Sequence, residues 1–144
     1  MLRTVRIIMT TVLTLLIGLL VLQALAYGVG FALDPEANVG EFGYEAPDPL
    51  DQLTVELVRL VGISMLGSAA LLGFSAILIG RAIPAGVYLA MIIGAIYVII
   101  AFGAVDAEQW WDAGFYGITG VALVALSAAA RWLQTRPGPA ETEG

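Results

Sequence analysis

Apolar residues in this chain fall into four blocks, separated by stretches that are rich in polar residues and proline. Each block holds about 20 residues, which is long enough for a helix to cross a hydrocarbon core of roughly 30 Å. The pattern therefore predicts an all-α, polytopic membrane protein with four transmembrane helices, at about 7–27, 53–80, 85–103 and 112–131. We expect one domain over residues 1–131, followed by a disordered cytoplasmic tail at 132–144.

The polar stretches predict how these helices are connected. Residues 28–52 carry three prolines and six carboxylates, which predicts a long, irregular, acidic outer loop between the first two helices. A short connection holds Arg81, and Pro84 suits the first turn of the next helix because its missing N–H needs no partner there. Gly103 is predicted to close the third helix, and Arg131 to stop the fourth. Antiparallel neighbours joined in this way predict an up-down bundle.

The first apolar block has two interpretations. Arg3 and Arg6 precede it, as in a signal peptide or a first transmembrane helix, and the segment 24–26 resembles a small-residue cleavage site. The apolar run before that segment is longer than the roughly 7–15 residues usual for a signal peptide. We therefore expect the block to be retained as a helix.

Basic residues predict the orientation in the membrane. One side of the predicted bundle would hold five of the six arginines, and Arg59 alone would lie on the other side among the carboxylates. Cytoplasmic segments carry the excess of basic residues, so both termini are predicted to be cytoplasmic in a multi-pass protein of the cell membrane. The five arginines are Arg3, Arg6, Arg81, Arg131 and Arg136.

The composition of the chain excludes several kinds of functional site. Hydrophobic residues make up 60% of the chain and charged residues 12%, whereas a soluble domain has roughly 25% charged residues. The chain has no cysteine and no histidine, which removes thiol nucleophiles, the usual zinc sites and histidine proton shuttles. A net charge of −6 with six arginines and no lysine does not suit nucleic acid. We predict no catalytic site, no metal, no cofactor and no nucleic-acid partner.

Small residues recur every four positions on the predicted helices. Membrane helices associate through small residues that let their backbones approach closely. We expect these rows to pack the bundle, the alternative being contacts in a homo-oligomer or a larger membrane complex. The rows are Gly86, Ala90 and Gly94 on the third helix, Ala113, Gly117, Val121, Ala125 and Ala129 on the fourth, and Ser64 and Ser68 on the second.

Arg59 is the most informative single residue, since it is the one basic group predicted on the acidic side. Glu56 lies three residues before it, a spacing that favours an ion pair on a helix. Arg59 could also extend its charged group to the membrane interface. The functional alternative is that Arg59 contacts an anionic ligand or lipid headgroup at the outer face.

Two further features concern membrane depth. Trp110 and Trp111 are predicted interfacial anchors, because indole rings favour the headgroup region. No Asp, Glu or Lys lies in the core of any apolar block, which argues against a proton-coupled carrier, since such a carrier binds its ion at an ionisable group inside the membrane.

The layout resembles a known group. A polar lead-in, Glu56-Leu57-Val58-Arg59, enters a second helix rich in Gly and Ser, after an outward first helix and an acidic loop and before a short Arg-containing turn and two more helices. This arrangement resembles the DoxX-like group of small four-helix proteins of the bacterial inner membrane, over nearly the whole chain. The resemblance implies an uncharacterised role or one beside redox or quinone-linked systems, and it carries over no active site.

Two functions follow from these observations. The first is a non-enzymatic accessory or interaction subunit, and the second is a binder or carrier of a hydrophobic small molecule, such as a quinone or lipid, within the bundle. A cavity lined by Tyr88, Tyr97, Gln23 and Ser68 would favour the binder. A filled core with an exposed row of small residues would favour the subunit.

Overall fold

The structure, a computed structural model, describes residues 2–42, 52–106 and 110–135, and every regular element in these ranges is helical. Each long helix contains a segment long and apolar enough to cross a membrane. The prediction of an all-helical chain with four such helices is therefore confirmed. The elements are α1 (Leu2–Leu33), α2 (Pro35–Asn38), a 3-10 turn (Val39–Phe42), α3 (Gln52–Gly80), α4 (Pro84–Asp106) and α5 (Trp110–Thr135).

α1 and α3 are longer than a bilayer requires. They contain 32 and 29 residues, which at 1.5 Å per residue makes each about 45 Å long. A hydrocarbon core is roughly 30 Å thick, so helices of this length tilt or project beyond it.

The end of α1 differs from the prediction. α1 continues through Gly28 and Gly30 to Leu33, so the interpretation of Gly28 as the start of an irregular loop is wrong. The helix ends instead at Asp34, which precedes Pro35 and has φ −134° and ψ 66°, because the proline ring disfavours helical geometry in the residue before it. Neither Gly28 nor Gly30 ends α1. In membrane helices, glycine often lies inside the helix, where a neighbouring backbone approaches closely.

Two other predicted helix ends are also wrong. α4 passes through Gly103 to Asp106, and α5 passes through Arg131 to Thr135. Residues 132–135 are therefore helical and do not belong to a disordered tail. The rest of that predicted tail, at 136–144, lies outside the described residues, as does most of the predicted acidic loop, at 43–51.

The chain divides into two compact units. The α2 unit comprises Gly18–Phe74, and the α4–α5 unit comprises the described residues up to Ile17 and from Ser75 onward. The core of the α2 unit contains Phe31 from the end of α1, Val39 from the 3-10 turn and Val58 from α3, with Val61 and Met65 packed against them.

The turn between α3 and α4 belongs to the α4–α5 unit. Ala82 N–H donates to the Ile79 carbonyl and Ile83 N–H to the Leu78 carbonyl, both at 2.9 Å. These bonds form a Schellman motif, which places Ala82 at the C′ position with a left-handed φ of 57°. α4 then begins at Pro84, as predicted.

Candidate functional site

Arg59 and Glu56 form an ion pair near the start of α3. Arg59 Nη1 donates to Glu56 Oε1 at 2.6 Å, and the two side chains are 43% and 50% exposed. An ion pair this exposed, between residues close together on one helix, contributes only about 0.3–0.5 kcal/mol because water screens it. Arg59 or Glu56 can therefore leave its partner and bind a ligand group instead, with little loss of free energy.

A hollow of about 390 Å³ lies beside this pair within the α2 unit. Pockets that hold small ligands usually measure roughly 300–1,000 Å³, so the hollow is large enough for a compact polar group. Its charged lining consists of two carboxylates and one guanidinium. The lining residues are Glu36, Gln52, Val55, Glu56 and Arg59.

Polar contacts at the end of α1 hold α2, and with it Glu36, in place. Asp34 caps α2 by accepting from the Ala37 N–H at 3.4 Å. Asn38 Nδ2 donates to the Asp34 carbonyl at 2.6 Å and to the Gly30 carbonyl at 3.3 Å. These bonds fasten α2 to the last turns of α1, so one wall of the hollow is anchored to a long helix.

Close contact between α1 and α3 supports the same unit. A Cβ atom built on Gly62 would lie 2.8 Å from Phe31 Cβ, and one built on Gly28 would lie 3.1 Å from the Gly62 carbonyl oxygen. Side chains at these positions would push the two backbones apart. The sequence pattern did not predict this contact between glycines, because it placed Gly28 in a loop.

The predicted row on the third helix lies on the inner surface of the α4–α5 unit. A Cβ on Gly86 would lie 2.8 Å from the Ser75 carbonyl oxygen, and one on Gly94 would lie 2.9 Å from the Gly120 carbonyl oxygen. Ala90, between them, is fully buried. Three helices thus approach one another closely along this row.

The predicted row on the fourth helix is only partly on the inner surface. Ala113 is buried and Gly117 half-buried, but Val121 and Ala125 are exposed and Ala129 is half-buried. Steps of four residues overshoot the 3.6-residue turn by about 40° each, so a strict four-residue row winds off the face on which it begins. The buried residues of α5 are Ala113, Gly120, Leu123, Ser127 and Ala130.

The predicted positions on the second helix do not form a helix contact of the same kind. Ser64 is exposed and its Oγ donates to the Val61 carbonyl at 2.7 Å, and Ser68 is half-buried. The buried serine of α3 is Ser75, whose Oγ donates to the Gly86 carbonyl at 2.8 Å. Sequence spacing missed Ser75 because its partner lies on α4.

Trp110 and Trp111 occupy the first turn of α5 and are 68% and 93% exposed. Rings this accessible are free to insert into a headgroup layer. Their role as interfacial anchors stays a prediction.

Two tyrosines of α4 contact α5. Arg131 Nε donates to the Tyr88 hydroxyl oxygen at 3.0 Å, with the guanidinium carbon 5.5 Å from the ring centroid. The Tyr97 and Tyr116 rings meet edge to face at 5.4 Å. Tyr88 and Tyr97, considered above as cavity-lining residues, thus each take part in the contact between α4 and α5.

An exposed face of α5 has regular spacing. Its residues alternate steps of three and four, the 3.5-residue average that brings two helices together along a shared seam. We name this face the α5 seam. It comprises Trp111, Gly114, Ile118, Val121, Ala125 and Ala128, all exposed.

The described residues contain no group of three or more Asp or Glu side chains placed to hold a metal ion. Comparison with known proteins gives no match: no family model, no curated protein and no solved structure matches the sequence. The evidence for a membrane protein therefore comes from the helices of the chain itself, four of which are long and apolar enough to cross a membrane.

Proposed function

We propose that this chain is a non-enzymatic interaction subunit of the cell membrane and that two copies associate through the α5 seam. Its four long helices form an up-down bundle with both termini in the cytoplasm and the acidic segment between α2 and α3 outside. Five of the six arginines, all except Arg59, lie on the side assigned to the cytoplasm and support this orientation. The likeness of its layout to the DoxX-like group is part of the same proposal.

The observation that carries the proposal is the α5 seam. From Trp111 to Ala128 it extends about 25 Å along the helix, and α5 has no charged residue between Asp112 and Arg131. Small residues on either side of Ile118 and Val121 let a second helix approach closely, and these two branched side chains interlock with it at a shallow crossing angle. The α5 helix of a second copy of the chain therefore suits this face as a packing partner.

Gly114 adds a second argument. A Cβ atom built there would meet nothing within 4 Å in the described part of the chain, so the contacts of that part do not require glycine at this position. Glycine inside a helix is less stable than alanine by roughly 0.5–1 kcal/mol. Close approach of a second copy would account for the glycine.

Native mass spectrometry of the detergent-purified protein tests this proposal. We expect a dimer for the unaltered chain and a monomer for Ala125→Leu, since a larger side chain in the seam would separate the helices. Ala70→Leu, which enlarges another exposed alanine on α3, is the matched control and should stay dimeric. An unaltered chain that is monomeric at all concentrations would refute the proposal.

A second candidate function is lipid binding, and the hollow beside Arg59 favours it. The hollow is lined by charged and amide groups, which suit a polar headgroup rather than a quinone ring. Tyr88 and Tyr97, which would have lined a quinone site, contact α5 instead.

A further inference from the structure

The walls of the hollow come from two helices. Four of the lining residues lie on one face of α3, because Gln52, Val55, Glu56 and Arg59 are spaced three, four and seven positions apart. Glu36 supplies the remaining wall from α2, which is fastened to α1 through Asn38. The charged groups therefore converge on the hollow from elements whose relative positions are fixed within one unit.

Several charged atoms at this site have unused bonding capacity. Arg59 uses Nη1 for Glu56, and a guanidinium has five N–H donors. Among the residues that the structure describes, Arg59 Nε and Nη2 and the Glu36 carboxylate have no hydrogen-bond partner. The hollow thus offers both donors for an anion and acceptors for a cation.

The balance of charge selects the kind of ligand. A simple anion would meet one guanidinium but also two carboxylates, and a simple cation would leave the Arg59 donors unused. A molecule with a phosphate beside a protonated amine satisfies both, since guanidinium binds phosphate well and carboxylates accept from ammonium. We propose that the hollow beside Arg59 binds this phosphate–ammonium pair, as in a phosphatidylethanolamine headgroup.

The position of the hollow on α3 suits a lipid. Its residues begin at Gln52, where the candidate membrane span of α3 starts, which is where headgroups lie if α3 crosses the bilayer. Ile63, one turn beyond Arg59 on the same face of α3, is exposed and offers apolar surface to the acyl chains. The inference rests on the membrane placement proposed above but not on association through the α5 seam.

Native mass spectrometry of the full-length protein with added lipids tests the inference. Three lipids with identical acyl chains are compared: phosphatidylethanolamine, phosphatidylcholine and phosphatidylglycerol. We expect phosphatidylethanolamine to bind at least about tenfold more tightly than phosphatidylglycerol, which lacks the ammonium group, because hydrogen bonds to charged groups are the strong ones. Phosphatidylcholine, whose ammonium has no N–H, should fall between them.

Variants identify the site. Arg59→Gln should weaken phosphatidylethanolamine binding about tenfold, whereas Glu36→Gln should chiefly abolish the preference over phosphatidylglycerol. Glu56→Gln should improve phosphatidylglycerol binding, because it removes a competitor for Arg59 and one negative charge. Arg81→Gln and Asp112→Asn, which alter exposed charges in the other unit, are the matched controls and should change nothing.

Free O-phosphoethanolamine, added to the same protein, distinguishes a lipid from a soluble ligand. Weaker binding than the lipid supports a lipid, and equal binding supports the same chemistry with a soluble ligand. Equal affinity for phosphatidylethanolamine and phosphatidylglycerol, or binding that Arg59→Gln leaves unchanged, would overturn the inference. The dimer fraction is measured in the same spectra, so loss of lipid selectivity and loss of self-association are seen separately.

Discussion

Gly94 of α4 and Gly120 of α5 approach each other so closely that neither has room for a side chain. A Cβ on Gly94 would lie 2.9 Å from the Gly120 carbonyl oxygen, and a Cβ on Gly120 would lie 2.7 Å from the Gly94 carbonyl oxygen. The contact is reciprocal and involves backbone atoms, which cannot turn aside as a flexible side chain can. This contact sets the separation of the two antiparallel helices.

Gly94→Ala should therefore destabilise the protein by about 1–3 kcal/mol, the usual cost of overpacking a close contact. Gly103→Ala is the matched control on the same helix, because a Cβ there would meet nothing within 4 Å among residues 2–42, 52–106 and 110–135. We expect it to be neutral or slightly stabilising. Reversible unfolding in mixed detergent micelles measures both, and equal effects of the two substitutions would contradict the predicted role of the Gly94 contact.

Alanine substitutions at two fully buried serines, Ser75 and Ser127, should have different effects on stability. Ser75 donates to the Gly86 carbonyl, whereas Ser127 Oγ has no hydrogen-bond partner among the residues that the structure describes. Ser75→Ala should cost about 0.5–1.5 kcal/mol, and Ser127→Ala should be neutral or stabilising, since it removes a buried hydroxyl that makes no bond. The same unfolding measurement compares them, and a larger loss for Ser127→Ala would show that its hydroxyl has a partner.

Replacing Ala82 with glycine should stabilise the protein. The left-handed φ of 57° at Ala82 is unfavourable for an L residue and free of strain for glycine, so Ala82→Gly should raise the free energy of unfolding by about 1 kcal/mol. Ala95→Gly, at an exposed position in the middle of α4, should instead lower it by roughly 0.5–1 kcal/mol. Equal signs for the two substitutions would be inconsistent with the Schellman turn.

The proposed orientation is tested by labelling single cysteines, since the chain has none of its own. Ala37→Cys on α2 should react with a membrane-impermeant maleimide added to intact cells. Arg81→Cys, in the turn before α4, should react only after the membrane is opened. Both positions are exposed in the structure, so the reverse pattern would place the termini outside.

The length of the apolar runs predicted the number and nature of the long helices, because four such runs admit little else. It misjudged where they end. Gly28 and Gly103 resemble helix ends in water, yet both lie inside helices. Arg131 was expected to stop α5, but its side chain contacts Tyr88 and the helix continues for another turn.

The candidate site was accessible to sequence reasoning only in part. The spacing of Glu56 and Arg59 indicated an ion pair, because both lie on one helix. The hollow also needs Glu36 on α2, and the segment that holds it was expected to be irregular. The Tyr88–Arg131 contact joins residues 43 positions apart, and no local spacing reports the register of α4 against α5.

The most direct test of the central claim, that this chain self-associates through α5, is disulfide cross-linking of single-cysteine variants in native membranes. Gly114→Cys, Ile118→Cys, Val121→Cys, Ala125→Cys and Ala128→Cys should form covalent dimers, and cysteines at the intervening positions Thr119 and Ala122 should form few. That alternation would follow the 3.5-residue spacing of the seam. Cross-linking that is absent, or uniform around α5, would contradict the claim.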